Sequence, residues 1–216
     1  MLSFFSHCHH ILLSIPYIPY QSSTITISSF QDSHDLILLA NHNVTSPFDE
    51  YLLLELYTPT GLNKFDTDHM YRSSYPQGPS DTGIRLWHVD ARLLAFDRTS
   101  GNDFITCDPI TSENKYLHST TNSVYTSSTA GRFNYPAFKD YNLLELIRND
   151  SYEGYPGNSI LSTGDLFKEG ESFSMSAFDK QFQNGAYLDD MSTLGWSFTV
   201  DAVTSTSATI TLSYSN

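Results

Sequence analysis

His88 and Asp90 stand two apart at the end of Gly83-Ile84-Arg85-Leu86-Trp87-His88-Val89-Asp90, and Glu55 and Arg85 are the other chemically capable pair in the central third of the chain. An imidazole beside a carboxylate suits proton transfer or metal ligation, whereas an acid and a guanidinium suit an ion pair. Four side chains, His88, Asp90, Glu55 and Arg85, therefore form the candidate cleft or structural polar cluster. No catalytic role is assigned to any of them. A serine hydrolase would need a nucleophile held by a sharp turn, and no Gly-x-Ser-x-Gly elbow occurs. Residues two apart on a strand lie side by side and do not make a nucleophile, base and orienting acid in line. A glycosidase needs two carboxylates across a cleft, which no spacing here establishes. The plainer reading of His88 is a hydrogen-bonded structural histidine, and of Trp87 a core residue rather than a sugar platform.

Metal chemistry has two further candidates. Asp66 and Asp68, in Asp66-Thr67-Asp68-His69, are expected on a loop, where two carboxylates and backbone carbonyls suit Ca²⁺. The rest of a calcium-loop signature is missing, so a solvated turn competes with that reading and outweighs it. Asp97, Asp103 and Asp108 around Gly101-Asn102 are read in the same way, as loop carboxylates. The group His7-Cys8-His9-His10 could catch a metal, but a solvated terminus explains it more simply. Cys8 and Cys107, the two cysteines, are expected as free thiols.

Strands must position these residues. Pro76 to Thr82 is turn-rich and stops regular structure before Gly83. With a side-chain period of two, Ile84, Leu86, His88 and Asp90 share one face and Arg85, Trp87, Val89 and Ala91 the other. Such a strand starts in a core and delivers His88 and Asp90 to a rim or cleft. The second central element, Glu50-Tyr51-Leu52-Leu53-Leu54-Glu55-Leu56-Tyr57, is apolar on both faces except at its two acids, and turn residues bound it at a strand's length. Inside a sheet Glu55 needs a partner, with Arg85 or His88 as the candidates.

The remaining elements are coarser. Thr24 to Ile27 and Leu36 to Ala40 read as an opening hairpin around the polar turn Gln31 to Asp35. Tyr141 to Arg148 has a spacing that fits either a short helix or a buried strand, and the alternation Phe173, Met175, Ala177 reads as a strand. Trp196 to Val200 and Ala208 to Tyr214 form a terminal antiparallel hairpin with one wet face. Thr111 to Thr129 is a long polar excursion carrying Tyr116 and Tyr125. The fold class expected is mainly β, with antiparallel sheets packed as a β-sandwich-like domain, long loops and little helix. Residues 1–22 are expected as a poorly ordered or atypical segment, and 23–216 as one β-rich domain.

Composition narrows the partners. A formal charge of −13 with only 11 Lys and Arg argues against nucleic acid, whose phosphates demand cations. The abundance of Ser, Thr and aromatic residues is that of an extracellular β domain, so a secreted location is expected. Residues 1–20 are broken by Pro16 and Pro19, lack a basic start, and are too short in their apolar run to span a membrane.

The run Ser46-Pro-Phe-Asp-Glu-Tyr-Leu-Leu-Leu-Glu-Leu, followed after a loop by Gly83-Ile-Arg-Leu-Trp-His-Val-Asp, resembles the late part of the immune-inhibitor-A-like (M6) zinc metallopeptidases. Leu161-Ser-Thr-Gly-Asp-Leu-Phe-Lys-Glu-Gly-Glu-Ser-Phe-Ser-Met and Leu194-Gly-Trp-Ser-Phe-Thr-Val resemble the C-terminal β region of that family. The similarity runs from about Ser23 to the end, and it implies that Tyr141 to Arg148 is a strand rather than a short helix. Members hold zinc on a helix bearing His-Glu-x-x-His, with the glutamate as general base, and this sequence contains no such motif. The resemblance thus implies the C-terminal β portion of a secreted protease, with zinc expected only on a catalytic part elsewhere, inactive alone, and with that part or a polypeptide substrate as its partner. The alternative is a free-standing β-sandwich that binds carbohydrate or a protein surface through Tyr116 and Tyr125.

Overall fold

Alternation decides the terminal sheet. In Ser207–Tyr214 the residues Ala208, Ile210 and Leu212 are buried while the intervening hydroxylic residues face outward, and Trp196, Phe198 and Val200 of Trp196–Val203 repeat the pattern. A computed structural model describes residues 21–41, 48–68, 78–97, 102–106, 143–149 and 162–215, with the backbone alone for 93–97 and 102–106. Within these residues the strands are β1 (Ser23–Ser28), β2 (Ile37–Leu39), β3 (Glu50–Tyr57), β4 (Gly83–Asp90), β5 (Leu93–Asp97), β6 (Asn102–Thr106), β7 (Leu144–Ile147), β8 (Ser172–Ser174), β9 (Trp196–Val203) and β10 (Ser207–Tyr214). The two short helices are α1 (Phe30–Ser33) and α2 (Asn63–Asp68). The protein is mainly β, with two antiparallel four-stranded sheets in the orders β1-β10-β9-β8 and β2-β3-β4-β7, and a β5-β6 pair.

The inner faces of the two large sheets share one hydrophobic cluster. Leu52, Leu54, Leu56, Ile84 and Leu86 from one sheet join Phe173, Phe198, Val200, Ile210 and Leu212 from the other. Phe167 is fully buried against the rings of Phe173, Phe178 and Phe198, and its backbone exchanges two 2.9 Å hydrogen bonds with Ile84. That close approach explains Gly83, where a Cβ would fall 2.7 Å from the Cβ of Leu166. Any side chain at 83 would push the Leu166–Phe167 segment away from β4, to which it is bridged.

The opening hairpin expected from the sequence does not form. β1 pairs with β10 and β2 pairs with β3, so the two segments belong to different sheets. Helix α1 and the left-handed His34 (φ 62°) turn the chain between them, letting Ile27 and Ile37 enter the core from opposite sides. The outer face of β1 is laced to β10 by Thr24–Thr211 and Thr26–Thr209 hydroxyl pairs at 3.0 and 3.1 Å.

Three smaller expectations also change. The strand expected through Ala177 ends at Ser174, where a turn begins with the Ala177 amide on the Ser174 carbonyl. Asp97 ends β5 and Asp103 lies in β6, so both belong to a hairpin rather than to loops. Asp66 and Asp68 lie on α2, not on a loop. The strand at Leu144–Ile147 and the terminal β9-β10 pair are as expected. No helix among the described residues is long and apolar enough to cross a membrane.

Candidate functional site

β3 and β4 pair over their whole length, from Glu50 opposite Asp90 to Tyr57 opposite Gly83. Directly opposed residues share a face, so this register sorts the charged side chains. Glu50, His88 and Asp90 fall on the inner face, while Glu55, Arg85 and Trp87 fall on the outer one. The four residues proposed as one cluster are therefore two groups on opposite sides of the sheet. His88 and Asp90 are also not at a solvated rim, being 2% and 0% exposed.

On the outer face Arg85 is the partner of Glu55. The Arg85 Nε lies 2.7 Å from Glu55 Oε1, and the Trp87 indole N–H donates to the same oxygen at 2.9 Å. The Arg85 guanidinium covers the rings of Tyr57 and Trp87, 4.5 and 5.4 Å from their centroids. The acid is thus held by charge and by a hydrogen bond, and the guanidinium by aromatic faces. Trp87 is engaged inside this ladder.

On the inner face Glu50 is the hub. Its Oε1 lies 2.7 Å from His88 Nε2 and accepts the Asp189 amide at 2.6 Å; its Oε2 accepts the Asp190 amide at 2.9 Å and lies 3.4 Å from an Arg92 terminal nitrogen. Arg92 folds back after β4 and grips Asp90 with two side-chain bonds, 2.8 Å from Nε to Oδ1 and 3.1 Å from a terminal nitrogen to Oδ2. The Ala91 amide donates to the Asp49 carbonyl at 3.0 Å, closing the end of the β3-β4 pair.

The segment that brings Asp189 to Glu50 is a turn whose Leu188 amide donates to the Ser192 carbonyl at 2.9 Å and whose Met191 sits at φ 68°. Two successive amides aimed at one carboxylate form an anion-binding nest. The same turn buries Asp189 to 4% exposure beside the acid it serves. Its Oδ2 has no hydrogen-bond partner among the described residues. Burial pushes the Asp189 carboxyl up to about 7, with Glu50 and Asp90 adding to the shift and His88 and Arg92 opposing it. Burial presses the His88 pKa down, but the hydrogen bond to Glu50 and the charges of Glu50, Asp189 and Asp90 outweigh it and hold the imidazole above its ordinary value. The His88 ring also lies 5.3 Å from that of Phe182.

Glu50, His88 and Asp189 each offer a ligand atom, and these atoms lie within 4.8 Å of one another. Sequence reading singled out His88 and Asp90 but passed over Glu50, Arg92 and Asp189. Glu50 carried a signal: it shares the alternate face of Leu52 and Leu54, which places a carboxylate toward the core. Arg92 follows Asp90 at strand spacing. Asp189 had no local signal, because only the packing of a distant turn brings it to Glu50.

Asp66 and Asp68, the candidate calcium pair, sit on α2 rather than on the expected loop. Residues two apart on a helix project about 200° apart, and Lys64 lies 3.8 Å from Asp68. Asp108, His7, Cys8, His9, His10, Cys107, Tyr116 and Tyr125 lie outside the described residues. The sequence His-Glu-x-x-His does not occur, and Glu50, His88 and Asp189 do not reproduce such a motif, since they come from two strands and a turn rather than one helix. Comparison with protein-family models, curated proteins and solved structures found no match.

Proposed function

We propose that this chain is the C-terminal β-rich portion of a secreted metallopeptidase of the immune-inhibitor-A type, and that it supports a protease cleft whose zinc-bearing helix lies on another part of the protein. One observation carries the reading. The two segments that resemble the family, Glu50–Tyr57 and Gly83–Asp90, are paired neighbours, and Glu50, His88 and Asp90, all within the resembling runs, take part in closing their end. A junction of this kind is a scaffold feature: it fixes where the loops after β4 and before β3 emerge.

On this reading the chain contributes shape rather than chemistry. The absence of His-Glu-x-x-His from its sequence leaves it without a general base on a zinc helix, so it does not hydrolyse peptides by itself. Its partner is the catalytic part, and polypeptide substrate reaches the shared cleft.

Reading the gene upstream of the Met1 codon tests the proposal. An in-frame His-Glu-x-x-His is the expected result. A secretion signal directly abutting the β1 segment, with no such motif in frame, would overturn it in favour of a free-standing binding module.

A further inference from the structure

We propose that Glu50, His88 and Asp189 form a binding site for one divalent transition-metal ion of the zinc class, which locks the turn at Leu188–Ser192 onto the end of the β3-β4 pair. The inference goes beyond the function proposed above and does not depend on it.

Two features point to a cation. First, a ring nitrogen and two carboxylate oxygens from three separate elements lie within 4.8 Å of one another, and all three residues are buried. Zinc bonds to such atoms are about 2.0–2.2 Å long, so ligand atoms shift by roughly 1 Å to close around an ion. Second, Asp189 is 4% exposed and its Oδ2 has no hydrogen-bond partner among the described residues. A buried carboxylate oxygen without a donor is costly, and its neighbours in the cluster are the two other ligand-bearing groups.

The donor set selects the class of metal. One imidazole and two carboxylates favour Zn²⁺ and its borderline neighbours, while Ca²⁺ and Mg²⁺ prefer oxygen alone. The ion takes the place of the proton between His88 Nε2 and Glu50 Oε1, and that proton leaves to solvent. The amides of Asp189 and Asp190 remain on Glu50 and orient it, in the way that outer hydrogen bonds orient metal ligands.

The test is calorimetric titration of the full chain, stripped with a chelator, with Zn²⁺, and Co²⁺ as a spectroscopic probe. Because His7, Cys8, His9 and His10 could also take metal, the titration is run in a background carrying C8S together with alanine at 7, 9 and 10. That background should bind one Zn²⁺, ignore millimolar-range Ca²⁺, and give the visible absorption of four- or five-coordinate Co²⁺. Adding D189N should weaken Zn²⁺ at least about tenfold while the circular dichroism stays that of the parent. Should D189N not fold, the ring nitrogen resonances of His88 in the parent carry the test, and they must move on addition of Zn²⁺. Equal affinity with and without D189N, no binding by the background, or unmoved His88 resonances would overturn the proposal.

Discussion

Glu50 Oε1 lies 2.7 Å from His88 Nε2, a diagonal contact from the terminal Glu50–Asp90 pair of the β3-β4 ladder to the Leu52–His88 pair. The imidazole is held above its ordinary pKa and the adjoining Asp189 carboxyl is raised from 3.8 to about 7. Both groups bind more protons in the folded than in the unfolded metal-free chain, so stability falls as pH rises. For His88 the contribution is complete below the unfolded imidazole value and is lost as pH passes the folded one. For Asp189 the fall begins near 3.8 and continues to about 7. The thermal midpoint of the chelator-treated chain should therefore drop between pH 5 and pH 8, and D189N, which cannot titrate, should flatten part of that slope. A midpoint that rises across this range would contradict the assignment.

The outer ladder should behave as a coupled unit. Removing Glu55 leaves Arg85 and the Trp87 indole N–H without their shared oxygen, so E55A should cost about 3–5 kcal/mol and E55Q, which still accepts from Trp87, clearly less. A double-mutant cycle of E55A with R85A in denaturant melts should return a coupling of roughly 0.5–3 kcal/mol. Additive effects would show that the two side chains act separately.

Phe167 and Phe65 offer a contrast at fixed chemistry. Phe167 is fully buried where the layers meet, and F167A should cost about 3–5 kcal/mol. Phe65 on α2 is 58% exposed, and F65A should fall within about 0.5 kcal/mol of the parent. Urea midpoints measure both, and comparable losses would mean that the core is not where the two sheets meet.

Met191 holds φ 68° with a side chain that is 61% exposed, a backbone state that L-residues avoid and glycine does not. M191G should keep the amides of Asp189 and Asp190 on Glu50 and raise stability by up to about 1 kcal/mol. A loss would show that the Met191 side chain contributes contacts that outweigh the strain.

What could be read in advance divides along a physical line. The alternation in Gly83–Asp90 identified both faces of β4, and the apolar run Glu50–Tyr57 identified a central strand, although Tyr51 and Leu53 on its outer face are only half-buried; side-chain period is a local property. The hairpin between β1 and β2 was misread for the opposite reason. Short connections usually join paired strands, but here the polar turn carries the chain from one sheet to the other. The polar cluster was half legible. Glu55 needed a partner and Arg85 lies opposite it, but which of His88, Arg85 and Asp90 share a face with Glu50 depends on register, and Asp189 reaches Glu50 only through tertiary packing.

The central claim is that these paired strands are scaffold and not engine. It is tested most directly by incubating the purified chain with casein, with and without a chelator, after loading with Zn²⁺. The account predicts no cleavage above a blank in either arm, even where Glu50, His88 and Asp189 hold metal. Casein cleavage that co-elutes with the chain and stops on chelation would contradict it.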